Sequence, residues 1–230
     1  STPALRISGL SYRYDGRNAL DQLSLEVPVG ERLAVVGPNG AGKSTLFKII
    51  AGVIKPALGT VSVYGHEPSG HICIAYVPQR SQVDWNFPVS VADVVMMGRI
   101  SKMGPLRWPT RQDWKIVHQS LDLVGMEPLA RKGINELSGG QQQRVFIARS
   151  LAQEAELMLM DEPLTGLDQT TQEELFQILD ALQQRKVTVM VALHDLKMAA
   201  ERFDRVLLLN RKLVGLGKPA EVLTPAHLQE

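Results

Sequence analysis

Cysteine is almost missing from this chain: its 230 residues include one, Cys73. A single thiol excludes an intramolecular disulfide framework and fits a reducing compartment. Neither sign of charge is in excess, with 25 Lys and Arg against 24 Asp and Glu for a net charge of +1. That balance excludes a broad basic face for nucleic acid and a polyacidic tail. Long apolar runs are also lacking. Strips such as Val187 to Leu193 fall far short of the roughly 18 residues that a membrane span needs. The opening Ser1-Thr2-Pro3-Ala4 has no charged segment followed by an apolar one, so no secretory signal is expected. There is no internal repeat, low-complexity tract or sustained heptad pattern. What is plentiful is core material, at 44% hydrophobic residues. One soluble, cytosolic, globular domain is expected.

Strand-like and helix-like segments alternate, which predicts an α/β fold with a largely parallel sheet. Leu33 to Val36, Leu157 to Met160, Val187 to Leu193 and Val206 to Leu209 are apolar on both faces, as buried parallel strands require. A helix is expected from Lys43 to Ala51, stopped by Gly52, and another with Leu175, Ile178, Leu179 and Leu182 on one stripe. Residues 5–30 and 58–77 alternate in shorter runs with Gly turns and are expected to form an antiparallel sheet beside the core. Residues 79–152 contain helical segments and no convincing buried strand, with Trp114, Val117, Leu121 and Val124 sharing one helical face. We expect a helical subdomain, 79–153, inserted into a core formed by 1–78 and 154–230.

Gly37-Pro38-Asn39-Gly40-Ala41-Gly42-Lys43-Ser44 matches G-x-x-x-x-G-K-[ST] in full, between a buried strand and a helix. The glycines let backbone N–H groups converge on phosphate oxygens, and the helix N-terminus adds partial positive charge. Lys43 can reach β- and γ-phosphates, Ser44 can ligate Mg²⁺, and Thr45 can reach the α-phosphate. A plain Gly-rich turn with a surface lysine would not need all of these constrained positions. Asp161 and Glu162 end the apolar run from Leu157. A carboxylate at such a place needs a cation, which nucleotide-bound Mg²⁺ supplies, and Glu162 can polarise water. Gly37, Asp161 and His194 all follow core strands, the side on which open α/β sheets bind ligands.

Leu137-Ser138-Gly139-Gly140-Gln141 precedes a helix carrying Val145, Ile147, Ala148 and Leu151. An N-capping Ser and a tight turn would account for part of it. The pentapeptide as a whole resembles the signature of the ATP-binding cassette superfamily, and Ser138 stands 23 residues before Asp161, as in that family. The resemblance covers essentially the whole chain. It implies a P-loop ATPase core with a mostly parallel sheet, an added antiparallel β subdomain and an inserted α-helical subdomain. Tyr14 is placed where the family stacks an aromatic on adenine, with Tyr12 as its rival. Gln79 in Tyr76-Val77-Pro78-Gln79 resembles the glutamine that touches Mg²⁺ and the water. Asp168 in Thr165-Gly166-Leu167-Asp168 resembles the loop crossing a dimer interface, although it would equally cap the helix that follows.

The resemblance further implies ATP and Mg²⁺ as cofactors, with Ser44, Gln79 and Asp161 around the metal and Glu162, His194 and Gln79 in catalysis. It implies a head-to-tail homodimer in which Ser138, Gly139, Gly140 and Gln141 of one subunit complete the site of the other. Lys43 and Ser138 are only 95 residues apart, unlike the split cassettes of repair and chromosome ATPases, and one cassette is present rather than the two of translation factors. A transporter motor on the cytoplasmic face of the membrane is therefore expected, with separate permease subunits and an extracytoplasmic substrate-binding protein. Val77 to Pro88 followed by Val94 to Arg99 resembles the manganese, zinc and ferrous iron branch of bacterial importers, although residues 101–110 depart from it. An iron-chelate or haem importer, an exporter motor and a soluble non-transport cassette ATPase are the alternatives. Trp85 and Phe87 with Val94 to Met97 would form either a groove for a permease helix or part of the core. His66, His71 and Cys73 lack the further ligands of a metal site.

Overall fold

The computed structural model describes residues 2–14, 16–68, 73–103 and 108–229. Its centre is a six-stranded sheet in the order β5-β6-β7-β3-β8-β9, made of Ile74–Val77, Leu157–Asp161, Thr188–Leu193, Arg32–Val36, Arg205–Asn210 and Lys212–Gly217. The first five strands run parallel, and β9 closes the edge antiparallel to β8. A second, antiparallel sheet has the order β2-β1-β4, from Arg17–Val27, Leu5–Tyr14 and Leu58–Val63.

The period-2 alternation of the buried strands divides their side chains between two cores. Leu33, Val35, Leu157, Leu159, Met190, Ala192, Leu207 and Leu209 face one core. There α1 (Lys43–Ile50) packs with Leu46, Phe47, Ile49 and Ile50 against the antiparallel sheet's Leu5, Leu20 and Val63. Ala34, Val36, Met158, Met160, Val189, Val191, Val206 and Leu208 face the other. Its far side is built from α2 (Val91–Met97), α4 (Arg111–Leu123), α5 (Gly139–Ala152) and α6 (Gln169–Gln184). Short helices α3 (Ile100–Met103), α7 (Leu196–Arg202) and α8 (Pro219–Val222) complete the chain. No helix among the described residues is long and apolar enough to cross a membrane.

Two expectations change and one open alternative is decided. Residues 58–77 do not form one antiparallel unit: β4 pairs with β1, whereas β5 pairs in parallel with β6. A four-residue strand whose partner lies some 80 positions away in sequence leaves no local mark of its sheet. Trp114 does not share the burial of Val117, Leu121 and Val124, because its indole is partly exposed. Val94, Val95 and Met96 are core residues rather than groove lining, while Phe87 is exposed and Trp85 half-buried. The two tight capping boxes at Ser90 and Thr110 fix where α2 and α4 begin.

A charged clasp ties the helical layer to the strand that follows it. Arg99 is buried, with Nε bonded to Asp113 Oδ1 at 3.0 Å and Nη1 to both Glu154 Oε2 at 2.8 Å and the Ala152 carbonyl at 2.9 Å. Hydrogen bonds from Thr110 to Asp113, with the Arg99 guanidinium beside it, hold that carboxyl below the usual range.

Candidate functional site

The loop from Gly37 to Gly42 joins β3 to α1. A cavity of about 240 Å³ opens over it, lined by Ala19, Pro38 to Thr45 and Glu162. The first-turn amides of α1 have no intrahelical acceptor, so this cavity offers converging donors and a positive helix end. Gly42 is required twice over: its φ is 98°, and a Cβ there would meet the Ala19 carbonyl oxygen at 2.6 Å. The contact also fixes the start of β2 against the loop.

Lys43 is buried, and its Nζ donates to the carbonyls of Gly37 at 2.6 Å and Pro38 at 3.3 Å. The ammonium is thus folded back over its own loop with one proton left for an anion. Burial pushes its pKa down, and the nearby Glu162 and Asp161 carboxylates oppose that shift. Ser44 and Thr45 are half-buried beside it. Asn39 and Gly40 line the cavity from the loop crest.

Asp161 closes β6 and is fully enclosed, next to β7. One of its oxygens accepts a long hydrogen bond from the Tyr76 hydroxyl at 3.3 Å. Burial, then the Asp161 charge, pushes the tyrosine pKa well up, so it stays a donor. Most of the acceptor capacity of Asp161 is left for a hard cation with oxygen ligands, and the Ser44 hydroxyl and Gln79 carbonyl are chemically matched to it. These residues fit Mg²⁺.

Glu162 is the hub of the site. Its Oε2 accepts from Gln79 Nε2 at 2.9 Å, and its Oε1 meets His194 Nε2. Three loops, after β5, β6 and β7, thereby converge on one carboxylate, as their adjacent positions in the sheet dictate. Glu162 also has a left-handed backbone, φ 51°. A non-glycine residue held there is strained and points its side chain off the strand line. Such a group can accept a proton from water, oriented by the two neighbours.

Other candidates stand apart from this cluster. Tyr14, at the end of β1, is 68% exposed, whereas Tyr12 is half-buried against the antiparallel core. Ser138 caps α5: its Oγ accepts from Gln141 N at 3.3 Å while Gln141 Oε1 accepts from Ser138 N at 3.0 Å. Gly139 and Gly140 follow under close neighbours, since a Cβ would come within 1.6 Å of Arg80 Nη1 on the first and 2.2 Å of Thr171 Cγ2 on the second. Asp168 does cap α6, accepting from Thr171 N at 3.0 Å and Thr171 Oγ1 at 2.7 Å, and these bonds lower its pKa. No cluster of three or more His, Cys, Asp or Glu among the described residues could hold a metal, and His71 lies outside them. Sequence reasoning missed Tyr76, Ala19, Arg80 and Thr171. Tyr76 alone left a signal, as a polar-tipped residue in an apolar strand beside Gln79.

Residues 20–165 match the ABC transporter family. The manganese transport ATP-binding protein MntB of Bacillus subtilis is 41% identical over 98% of this chain and 91% of its own length. The chelated iron transport protein YfeB of Yersinia pestis is 43% identical over 99% of this chain and 78% of its own. For the zinc transport ATP-binding protein TroB of Treponema pallidum the figures are 42%, 98% and 85%. Among solved structures, a metal-chelate type ABC transporter in an inward-facing conformation superposes with a TM-score of 0.88 at 32% identity, covering 99% of this chain and 88% of that one. A nucleotide-free ATP-binding cassette shares the fold at TM-score 0.86 and 23% identity, over 99% and 98%. The chain belongs to the ABC transporter family, as an ATP-binding and ATP-hydrolysing domain.

Proposed function

We propose that this protein is the ATP-hydrolysing subunit of a transporter for a divalent metal ion, manganese, zinc or iron, which crosses the membrane through separate permease subunits. The observation that carries the ATPase part is the convergence of Gln79 and His194 on Glu162 at the mouth of the Lys43 cavity. The relatives named for manganese, zinc and chelated iron transport support the cargo.

In this reading Lys43 and the loop amides hold the β- and γ-phosphates, Thr45 the α-phosphate, and Tyr14 the adenine face. The exposure of Tyr14, on a hairpin whose second strand abuts the loop at Ala19, favours it over Tyr12. Ser44, Asp161 and Gln79 would hold Mg²⁺, which would supply charge neutralisation toward the phosphates. Glu162 takes the proton of the attacking water, and His194 and Gln79 keep its carboxylate aimed. Two subunits close head to tail, so that Ser138, Gly139, Gly140 and Gln141 of one complete the other's site and Asp168 lies along the seam. A helix N-terminus brought to the γ-phosphate only on closure stabilises the transition-state charge. Loss of that phosphate then releases the dimer.

The chain works as one domain, with 1–78 and 154–230 binding nucleotide and 79–153 carrying the signature turn. It sits peripherally on the cytoplasmic face of the membrane, with an extracytoplasmic substrate-binding protein completing the system. The test is co-purification from native membranes with mass spectrometry, then metal uptake by the recovered complex. A multi-span permease and ATP-dependent uptake of manganese, zinc or iron are expected. Recovery with soluble proteins alone would overturn the transport reading and favour a non-transport cassette ATPase.

A further inference from the structure

Two glycines follow Ser138, and only the second is enclosed. Gly139 is half-buried under the flexible end of Arg80, whereas Gly140 is buried in the first turn of α5. The backbone of Gly140 is not left-handed, so its conformation is open to any residue. The demand for glycine is one of space. A Cβ there would fall 2.2 Å from Thr171 Cγ2, yet 3.6 Å from Thr171 Cβ and 3.8 Å from its Oγ1, which are ordinary contacts. One methyl group of this same chain therefore excludes a side chain from the signature turn. That methyl is not free to turn away. Thr171 Oγ1 donates to Asp168 Oδ2 at 2.7 Å, and Thr171 N donates to Asp168 Oδ1 at 3.0 Å. Hydroxyl and methyl share one Cβ, so rotating the methyl off Gly140 breaks the bond to Asp168. One turn further along, Arg144 of α5 pairs with Glu174 of α6. Gln172 Nε2 also donates to the Leu167 carbonyl at 3.1 Å, holding the start of α6 to the loop before it.

We propose that Thr171 is a positioning residue for the signature turn, and that residue 140 is glycine because Thr171 of the same subunit fills the place of its side chain. The proposal rests on the shared-site reading above. In that reading Ser138 to Gln141 of one subunit complete the partner's site, and Asp168 lies along the seam. Thr171 joins the two through a single Cβ, its methyl on the turn and its hydroxyl on the Asp168 loop. Both are thus presented to the partner as one surface. A side chain at 140 forces them apart, because an interior packed this closely has no slack for a methyl. The partner's nucleotide takes no part in that requirement, since the three atoms nearest the added Cβ all belong to Thr171.

The experiment is a double-variant cycle in chain carrying Glu162→Gln, so that ATP is bound without being hydrolysed: Gly140→Ala, Thr171→Ser and the two combined. The readout is the ATP concentration at half-maximal dimer formation by light scattering, with ATP binding to dilute monomer and urea unfolding in parallel. Gly140→Ala is expected to raise that concentration about tenfold or more, as an overpacked contact does. Thr171→Ser keeps the bond to Asp168 and should stay within about fourfold of the parent, the cost of one buried methyl. The combined variant should match Thr171→Ser, because with Cγ2 gone the new methyl meets only Cβ and Oγ1 at 3.6 and 3.8 Å. Monomer affinity for ATP should not change in any of them. A combined variant as impaired as Gly140→Ala overturns the proposal, as the glycine then serves the partner's nucleotide. A Gly140→Ala protein that dimerises like the parent overturns it too, even where its unfolding has shifted, since Thr171 is then a packing residue only. Should Gly140→Ala not fold, the combined variant decides alone: folding and dimerising like Thr171→Ser supports the proposal, and failing to do so ends it. If the Glu162→Gln parent stays monomeric at saturating ATP, the shared-site reading itself fails and takes the proposal with it.

Discussion

Replacing Glu162 by Gln isolates the chemistry of one proton, because the site can accommodate the amide without rebuilding. Glu162 presents two oxygens to two nitrogens, Gln79 Nε2 at 2.9 Å and His194 Nε2. A glutamine has one carbonyl and one NH₂ to offer in the same places. With its carbonyl toward Gln79 and its NH₂ toward His194, whose Nε2 accepts in the Nδ1–H tautomer, both hydrogen bonds are kept and the Gln79 carbonyl stays free. Size is unchanged, and the left-handed backbone at φ 51° is no harder for Gln than for Glu. ATP binding should therefore survive. Catalysis should not, since an amide cannot accept the proton of the attacking water. A positioned general base contributes about 10²- to 10⁴-fold, equivalent to about 3–5 kcal/mol of barrier. Phosphate release at saturating ATP should fall by that factor, while equilibrium dialysis gives an ATP affinity within about threefold of wild type, some 0.7 kcal/mol. With hydrolysis blocked, ATP should hold the dimer closed, visible as a shift in size-exclusion elution. Turnover within tenfold of wild type would refute Glu162 as the base. A parallel collapse of ATP binding would refute the argument that the amide is accommodated in place.

The remaining expectations concern the loop and the frame. Lys43→Ala removes an ammonium that points at the cavity with one proton free; losing a charge-assisted bond worth about 1.5–3 kcal/mol should weaken ATP binding about 10- to 100-fold, measured by calorimetry. Gly42→Ala places a methyl group 2.6 Å from both the Ala19 carbonyl oxygen and Leu20 Cδ2 at φ 98°; a cost of at least about 1–3 kcal/mol in urea unfolding, with lost nucleotide binding, is the result to look for. Arg99→Met strands the buried Asp113 carboxylate and should cost about 3 kcal/mol by the same assay, of which Asp113→Asn in the double variant should restore part.

What could be read from the sequence, and what could not, divides along the reach of each interaction. The strands at Leu33, Leu157, Thr188 and Arg205 were legible because a strand buried on both faces is apolar at every position, a property of four to six adjacent residues. The phosphate loop was legible for the same reason, its chemistry being confined to eight consecutive residues. The convergence of Gly37, Asp161 and His194 followed one step further, since residues just after parallel strands share one sheet edge whatever the strand order, whereas Gln79 was reached through the family resemblance alone. The placement of β5 beside β6 escaped, because nothing in Ile74–Val77 distinguishes a parallel edge from an antiparallel one. The burial of Val94 to Met96 was left open between groove and core, because a helix face looks the same whether it meets a core or a partner. Hardest were the contacts of the signature glycines. As a turn, Ser138-Gly139-Gly140 needs glycine only loosely, since neither residue has a left-handed φ. At Gly140 a Cβ would meet the Thr171 side chain, 31 positions away, at 2.2 Å, whereas over Gly139 lies only the flexible end of the exposed Arg80, which can swing aside. The constraint at Gly140 is thus written elsewhere in the chain, on the first turn of α6, where no reading of the motif itself could find it.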